Sequence, residues 1–136
     1  DLERFLSEHG NDFDIIIDDG GHTMRQQQIS LGVLFGAVKS GGYYIIEDLH
    51  TCSGEWPTLY GYQTIHEGDT LTTDLLNSIT NNDDSVRETN YLSRDLLDHI
   101  RDNTESCRTE IGKEKYVNPK GYTYQWPTML SFMQKK

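Results

Sequence analysis

Phe13-Asp14-Ile15-Ile16-Ile17-Asp18-Asp19-Gly20-Gly21-His22 runs from an apolar strand into two carboxylates, a glycine break and a histidine. Tyr43-Tyr44-Ile45-Ile46-Glu47-Asp48-Leu49-His50 repeats that plan. An unbroken apolar run such as residues 13–17 reads as a strand covered on both faces, and residues 43–46 read as the next buried strand. Between them Thr23 and Gln26 form a capping box, so a helix is expected from there to about Val38. Met24, Leu31, Phe35 and Val38 recur at helical spacing, and Ile29 and Leu34 widen the stripe. Ser40-Gly41-Gly42 is expected to close that helix.

Strand, helix, strand is a βαβ crossover. It makes the two strands parallel and places their C-terminal ends at one sheet edge. In open α/β sheets that edge is where ligands bind. Topology therefore gathers four carboxylates and two imidazoles in one place. Like charges repel, and a bound divalent cation is the simplest reason for such a gathering.

Outward from this unit, residues 1–9 read as the end of a helix, with Leu2, Phe5 and Leu6 on one face and Gly10 as its stop. Residues 49–70 are rich in Gly, Tyr, Trp, Thr and His without a period, and read as a long loop over the site. Residues 71–79 form a helix carrying Leu71, Leu75, Leu76 and Ile79. Ser93 caps another to about Arg101, with Leu96, Leu97 and Ile100 inward. Two weaker strands, 106–111 and 128–133, flank the turn Asn118-Pro119-Lys120-Gly121 and suggest a closing antiparallel hairpin. The fold class is α/β: a partial Rossmann-like sheet with parallel strands and a C-terminal antiparallel hairpin.

The chain has 136 residues, enough for one domain and one core. Its net charge of −10, with no basic cluster longer than a pair, argues against nucleic acid and against an anionic membrane surface. No apolar run approaches the roughly 20 residues of a membrane span. Cys52 and Cys107 lie far apart without a CxxC pairing. They read as free thiols in a reducing, cytoplasmic compartment.

The string from Asp18-Asp19-Gly20-Gly21-His22 to Glu47-Asp48-Leu49-His50-Thr51 resembles the C-terminal half of a class I S-adenosylmethionine-dependent methyltransferase. More narrowly, it is similar to the magnesium-dependent O-methyltransferases of macrolide sugars, of mycinamicin type, and to the cephalosporin-hydroxylase-like proteins. Those carry an Asp-Asp-Gly-Ser-His segment and a Glu-Asp pair in the corresponding places. Gly21 stands where serine is usual. The confident match covers about residues 13–51.

The resemblance implies that Asp19, Glu47 and Asp48 are ligands of Mg2+ and that His22 is the general base. It implies that Asp18 faces away from the metal, toward backbone or the methionine end of S-adenosylmethionine. A metal held by carboxylates can bind a substrate diol and lower the pKa of its hydroxyl. His22 sits at a helix N-terminus, where the dipole and a nearby dication both disfavour imidazolium. The plainer reading of Asp18 or Asp19 alone is a turn cap, and of His22 a structural histidine. His50 stands between supporting a metal ligand and lying in solvent. His9 and His99 are expected at the surface, and His66 is a weaker candidate for reaching substrate. Trp56, Tyr60 and Tyr62 would either stack on a sugar ring or pack the loop onto the body. Tyr116, Tyr122, Tyr124 and Trp126 read as core or oligomer contacts.

No GxGxxG-like stretch occurs in the chain. Residues 1–136 are therefore expected to be the C-terminal half of one methyltransferase catalytic domain, with the cofactor-loop half outside it. The expected function is metal-dependent O-methylation of a small-molecule hydroxyl, on a sugar-bearing natural product, by a homo-oligomer. The rival is a non-catalytic binding or scaffold domain that keeps the sheet. Another Rossmann-like enzyme, such as a dehydrogenase or hydrolase, would need a nicotinamide motif or a nucleophile, and neither is visible.

Overall fold

The computed structural model describes residues 1–52, 65–117, 119–120 and 123–136, with the backbone alone for 113–117 and 123–127. Helix α1 (Leu2–His9) ends at Gly10, whose φ of +86° suits a residue without a side chain. Strand β1 (Phe13–Asp18) leads into helix α2 (Met24–Leu34). The Thr23–Gln26 capping box forms on both sides: the Gln26 amide donates to Thr23 Oγ1, and Gln26 Oε1 accepts from the Thr23 amide.

Helix α2 stops earlier than its pattern suggests. A 3-10 turn (Phe35–Ala37) follows, and Val38 already opens strand β2 (Val38–Ile46). Gly36 interrupts the helix, and β-branched Val38 favours the extended state. Ser40-Gly41-Gly42 thus lies inside a strand. Gly41 takes φ +79°. A Cβ on Gly42 would sit 2.6 Å from the Asp14 carbonyl oxygen, so glycine permits the close approach of β1. The pairing register shifts between Phe13 and Ile15 there.

Strands β1 and β2 are parallel, with Asp18 level with Ile46. A 3-10 turn (Leu49–Cys52), helix α3 (Thr72–Asn81) and helix α4 (Arg94–Asp102) follow. Ser93 caps α4 by accepting from the Leu96 amide. The two last strands, β3 (Thr104–Val117) and β4 (Thr123–Lys135), form the antiparallel hairpin and are far longer than the sequence suggested. Strand order is β1-β2-β4-β3, with β4 antiparallel to β2.

One face of the sheet carries the core. Tyr44 and Ile46 of β2 and Met133 of β4 pack with Leu31, Leu34 and Phe35, and with Leu75, Leu76, Leu97 and Ile100 of α3 and α4. Each such side chain contributes about 1.5–3 kcal/mol when fully buried. The α2 stripe differs from its pattern in one place: Ile29 is exposed, while Gln27 and Gln28 are buried. The opposite sheet face is uncovered among the described residues, with Ile15 57% and Ile17 58% exposed and Tyr43 beside them. The expectation of two-sided coverage for β1 is therefore corrected. Strand β1 is also one of the two outermost strands.

Among the described residues no helix is long and apolar enough to cross a membrane. Cys52 is buried and Cys107 is half-buried, and neither is in a disulfide.

Candidate metal and catalytic centre

The β1 and β2 ladder ends level, because the Glu47 amide donates to the Asp18 carbonyl at 3.0 Å. Both acidic turns therefore leave the sheet from the same edge, as the crossover requires. Asp48 then takes φ +53°, a left-handed conformation that Asp tolerates better than most residues. That conformation costs about 1–3 kcal/mol and turns the Asp48 carboxylate away from the strand direction.

His22 Nε2 lies 3.7 Å from Asp19 Oδ1 and 3.4 Å from Asp48 Oδ2. One ligand atom from each of Asp19, His22 and Asp48 falls within 4.8 Å of the others. Ligands about 2.1 Å from a magnesium ion stand about 3.0 Å apart when adjacent and about 4.2 Å when opposite. The separations of 3.4 and 3.7 Å from His22 fall between those values, so the two carboxylates are placed to supply oxygens to a small hard cation with the imidazole beside them. Glu47 lies outside this group of three, so the structure gathers two of the three carboxylates named from the sequence, with His22, named as the base, between them. Glu47 follows the last residue of β2 and is half-buried.

Asp18 is engaged by protein. Its Oδ2 accepts a 2.8 Å hydrogen bond from the Tyr44 phenol, and its Oδ1 accepts from the Gly20 amide at 3.3 Å. Burial, then the Asp18 charge and this hydrogen bond, push the Tyr44 phenol well above its usual range. His50 is nearly buried, with Nδ1 3.7 Å from Asp48 Oδ1. Burial pushes its imidazole below the usual histidine range; the Asp48 charge opposes this and His22 adds to it. Gly21 leaves the space that Gln26 occupies when it closes the capping box: a Cβ there would lie 2.2 Å from Gln26 Cδ. Gly21 in place of the serine of the similar motif is thereby compatible with this turn.

His9, His99 and His66 are exposed; the His66 amide donates to Asp69 Oδ2 in a turn. Trp56, Tyr60 and Tyr62 lie outside the described residues, as do Tyr122 and the side chains of Tyr116, Tyr124 and Trp126.

Three residues at the site escaped the sequence reading. Tyr44 counted only as an apolar strand position, although its phenol needs a partner when buried. Gln27, on the buried side of α2, donates to the Glu47 carbonyl at 3.4 Å. Thr51 Oγ1 lies 2.8 Å from both the His22 and Asp48 carbonyl oxygens. Amide and hydroxyl groups on otherwise apolar faces were the available signal.

No family model matches the chain. It is 53% identical over 55 residues to the 8-demethyl-8-(2-methoxy-alpha-L-rhamnosyl)-tetracenomycin-C 3'-O-methyltransferase of Streptomyces olivaceus, a match spanning 39% of this chain and 14% of that protein. It is 37% identical over 78 residues to the mycinamicin VI 2''-O-methyltransferase of Micromonospora griseorubida, spanning 57% and 19% respectively. Among solved structures, the MycE methyltransferase of the mycinamycin biosynthetic pathway, in complex with Mg, SAH and mycinamycin VI, superposes with a TM-score of 0.53 at 25% identity. That superposition covers 98% of this chain and 28% of MycE. A second crystal form, with Mg and SAH, gives a TM-score of 0.55 at 26% identity. The chain therefore spans less than a third of the length of each of these proteins. It is similar to the sugar O-methyltransferases of antibiotic pathways, in sequence and in its mixed α/β sheet.

Proposed function

We propose that this chain supplies the metal-binding and proton-accepting part of an S-adenosylmethionine-dependent O-methyltransferase acting on a sugar hydroxyl of a natural product. The observation that carries the reading is the convergence of Asp19, His22 and Asp48 at the C-terminal edge of two parallel strands. Similarity to proteins named for methylating rhamnosyl and mycinamicin hydroxyls supports the acceptor class. On this reading residues 1–136 form the C-terminal half of one catalytic domain.

The reaction is an in-line displacement at a sulfonium methyl. The acceptor oxygen forms the new C–O bond, the C–S bond breaks, and S-adenosylhomocysteine leaves with the electron pair. Magnesium at the Asp19–Asp48 pair would lower the pKa of a hydroxyl beside it. Asp19 and Asp48 would hold the cation, and both carboxylates are open to solvent on the side where a sugar would approach. His22 Nε2, between the two carboxylates, takes the hydroxyl proton, and general-base help of this kind contributes roughly 10²–10⁴ in rate. Asp18 shapes the turn through Tyr44.

The test is methyl transfer from labelled S-adenosylmethionine to glycosylated macrolide and tetracenomycin acceptors by the protein carrying both halves of the catalytic domain. Labelled sugar is expected, lost with EDTA and restored by Mg2+. A protein that binds neither Mg2+ nor S-adenosylmethionine would instead fit the scaffold alternative.

A further inference from the structure

We infer that Thr51 is a positioning residue that clamps the His22 turn to the Asp48 turn through its hydroxyl. The inference rests on the metal-centre reading above. Thr51 is 1% exposed. Its Oγ1 stands 2.8 Å from the His22 carbonyl oxygen and 2.8 Å from the Asp48 carbonyl oxygen. A hydroxyl has one proton to donate, so the two acceptors share it, and each turn is held by the same atom. His22 and Asp48 are 26 positions apart in sequence and follow different strands. The clamp is what makes the 3.4 Å separation of His22 Nε2 from Asp48 Oδ2 reproducible.

Neighbouring groups hold the clamp in place. Thr51 sits in the 3-10 turn Leu49–Cys52, and its amide donates to the Asp48 carbonyl at 3.1 Å. Cys52 Sγ reaches the His22 carbonyl at 3.5 Å. The Cys52 carbonyl in turn accepts from Thr73 Oγ1 of α3 at 2.9 Å. The turn bearing Thr51 is therefore anchored to a helix that packs in the core. A side chain that orients metal ligands from behind changes metal affinity by about 10–100-fold when removed. Valine matches threonine in shape and lacks the proton. It would remove the one donor the two carbonyls share, leaving the Asp48 carbonyl to the Thr51 amide and the His22 carbonyl to the weaker Cys52 thiol.

The experiment compares Thr51→Val and Thr51→Ser with the wild type. Mn2+ alone is titrated by calorimetry, and the 13C carbonyl resonances of His22 and Asp48 are read without metal. Thr51→Val is expected to weaken Mn2+ binding about tenfold and to move both carbonyl resonances together. Thr51→Ser, which keeps the hydroxyl and loses the methyl, is expected to restore both. Unmoved carbonyls or unchanged Mn2+ affinity in folded Thr51→Val would overturn the clamp. So would a Thr51→Ser variant as weak as Thr51→Val, since the methyl would then be responsible. If Thr51→Val does not fold, Thr51→Ala carries the same comparison. Wild-type protein that binds no Mn2+ would sink the metal reading alone, because the carbonyl shifts decide the clamp independently.

Discussion

The Tyr44 phenol, fully buried on β2, donates a 2.8 Å hydrogen bond to Asp18 on β1. The bond crosses the parallel pair at the level where both chains leave the sheet. It fixes the first residue of the acidic turn from within the core, and it keeps Asp18 from serving as a free ligand. Tyr44→Phe should cost about 1–3 kcal/mol of stability, because a donor to a charged acceptor is removed. Urea denaturation checks this; a variant as stable as wild type would show the bond to be incidental.

Asp48 is held at φ +53°, where glycine is free of strain. Asp48→Gly should therefore keep or raise stability by up to about 1 kcal/mol, while abolishing divalent-cation binding. Asp48→Asn should tolerate the same backbone and bind the cation weakly. Thermal melts and Mn2+ titration on the pair separate backbone strain from ligand chemistry.

His22 and Asp19 should fail differently. In an active methyltransferase His22→Ala should lower turnover by roughly 10²–10⁴ and leave metal affinity largely intact. Asp19→Ala should lose metal and turnover together. Equal turnover of His22→Ala and wild type across pH 6–9 would remove the general-base assignment.

Burial lowers the His50 pKa below its unfolded value. The unfolded chain therefore takes up the His50 proton first as pH falls. In the metal-free protein, stability is full above the ordinary histidine pKa near 6.5 and declines as pH drops from there toward the folded pKa. His50→Gln should flatten that slope between pH 7 and 5, measured by denaturation midpoints. An unchanged slope would assign the effect to other groups.

Ile15 and Ile17 project from an outermost strand whose edge is unpaired among the described residues. Such an edge invites pairing. The edge is expected to be covered by a second copy of the chain or by a partner segment, and for a second copy Ile15→Lys with Ile17→Lys should shift the protein toward monomer in light scattering without lowering its melting temperature. A wild-type monomer at every concentration, with that edge bare, would contradict this.

Much of this was legible in the sequence. The βαβ unit, the Thr23–Gln26 and Ser93 caps and the hairpin follow from apolar period and turn residues, which act locally. The end of α2 was not, because Val38 joins β2 through pairing with Phe13, a contact no helical period encodes. At the site, the sheet edge was readable from topology, and Asp19, His22 and Asp48 were named. The grouping of His22 with the two aspartates, and Glu47 outside it, depended on the left-handed turn at Asp48. A backbone angle at one residue leaves no pattern in composition or spacing. Thr51 escaped because its two acceptors are backbone atoms, which the sequence does not distinguish.

Strand β4 lies between β2 and β3, although it is the last of these four strands to be made. The Gln134 side chain donates to the Gly41 carbonyl across 93 positions of chain. During synthesis at about 5–20 residues per second, β2 waits roughly 5–20 seconds for its inner neighbour. Until then the nascent βαβ unit presents a second open edge on the ribosome, and β3 has nothing to pair with. A premature stop that removed β4 would split the sheet at its middle and leave β3 stranded, where loss of an outer strand would only narrow it.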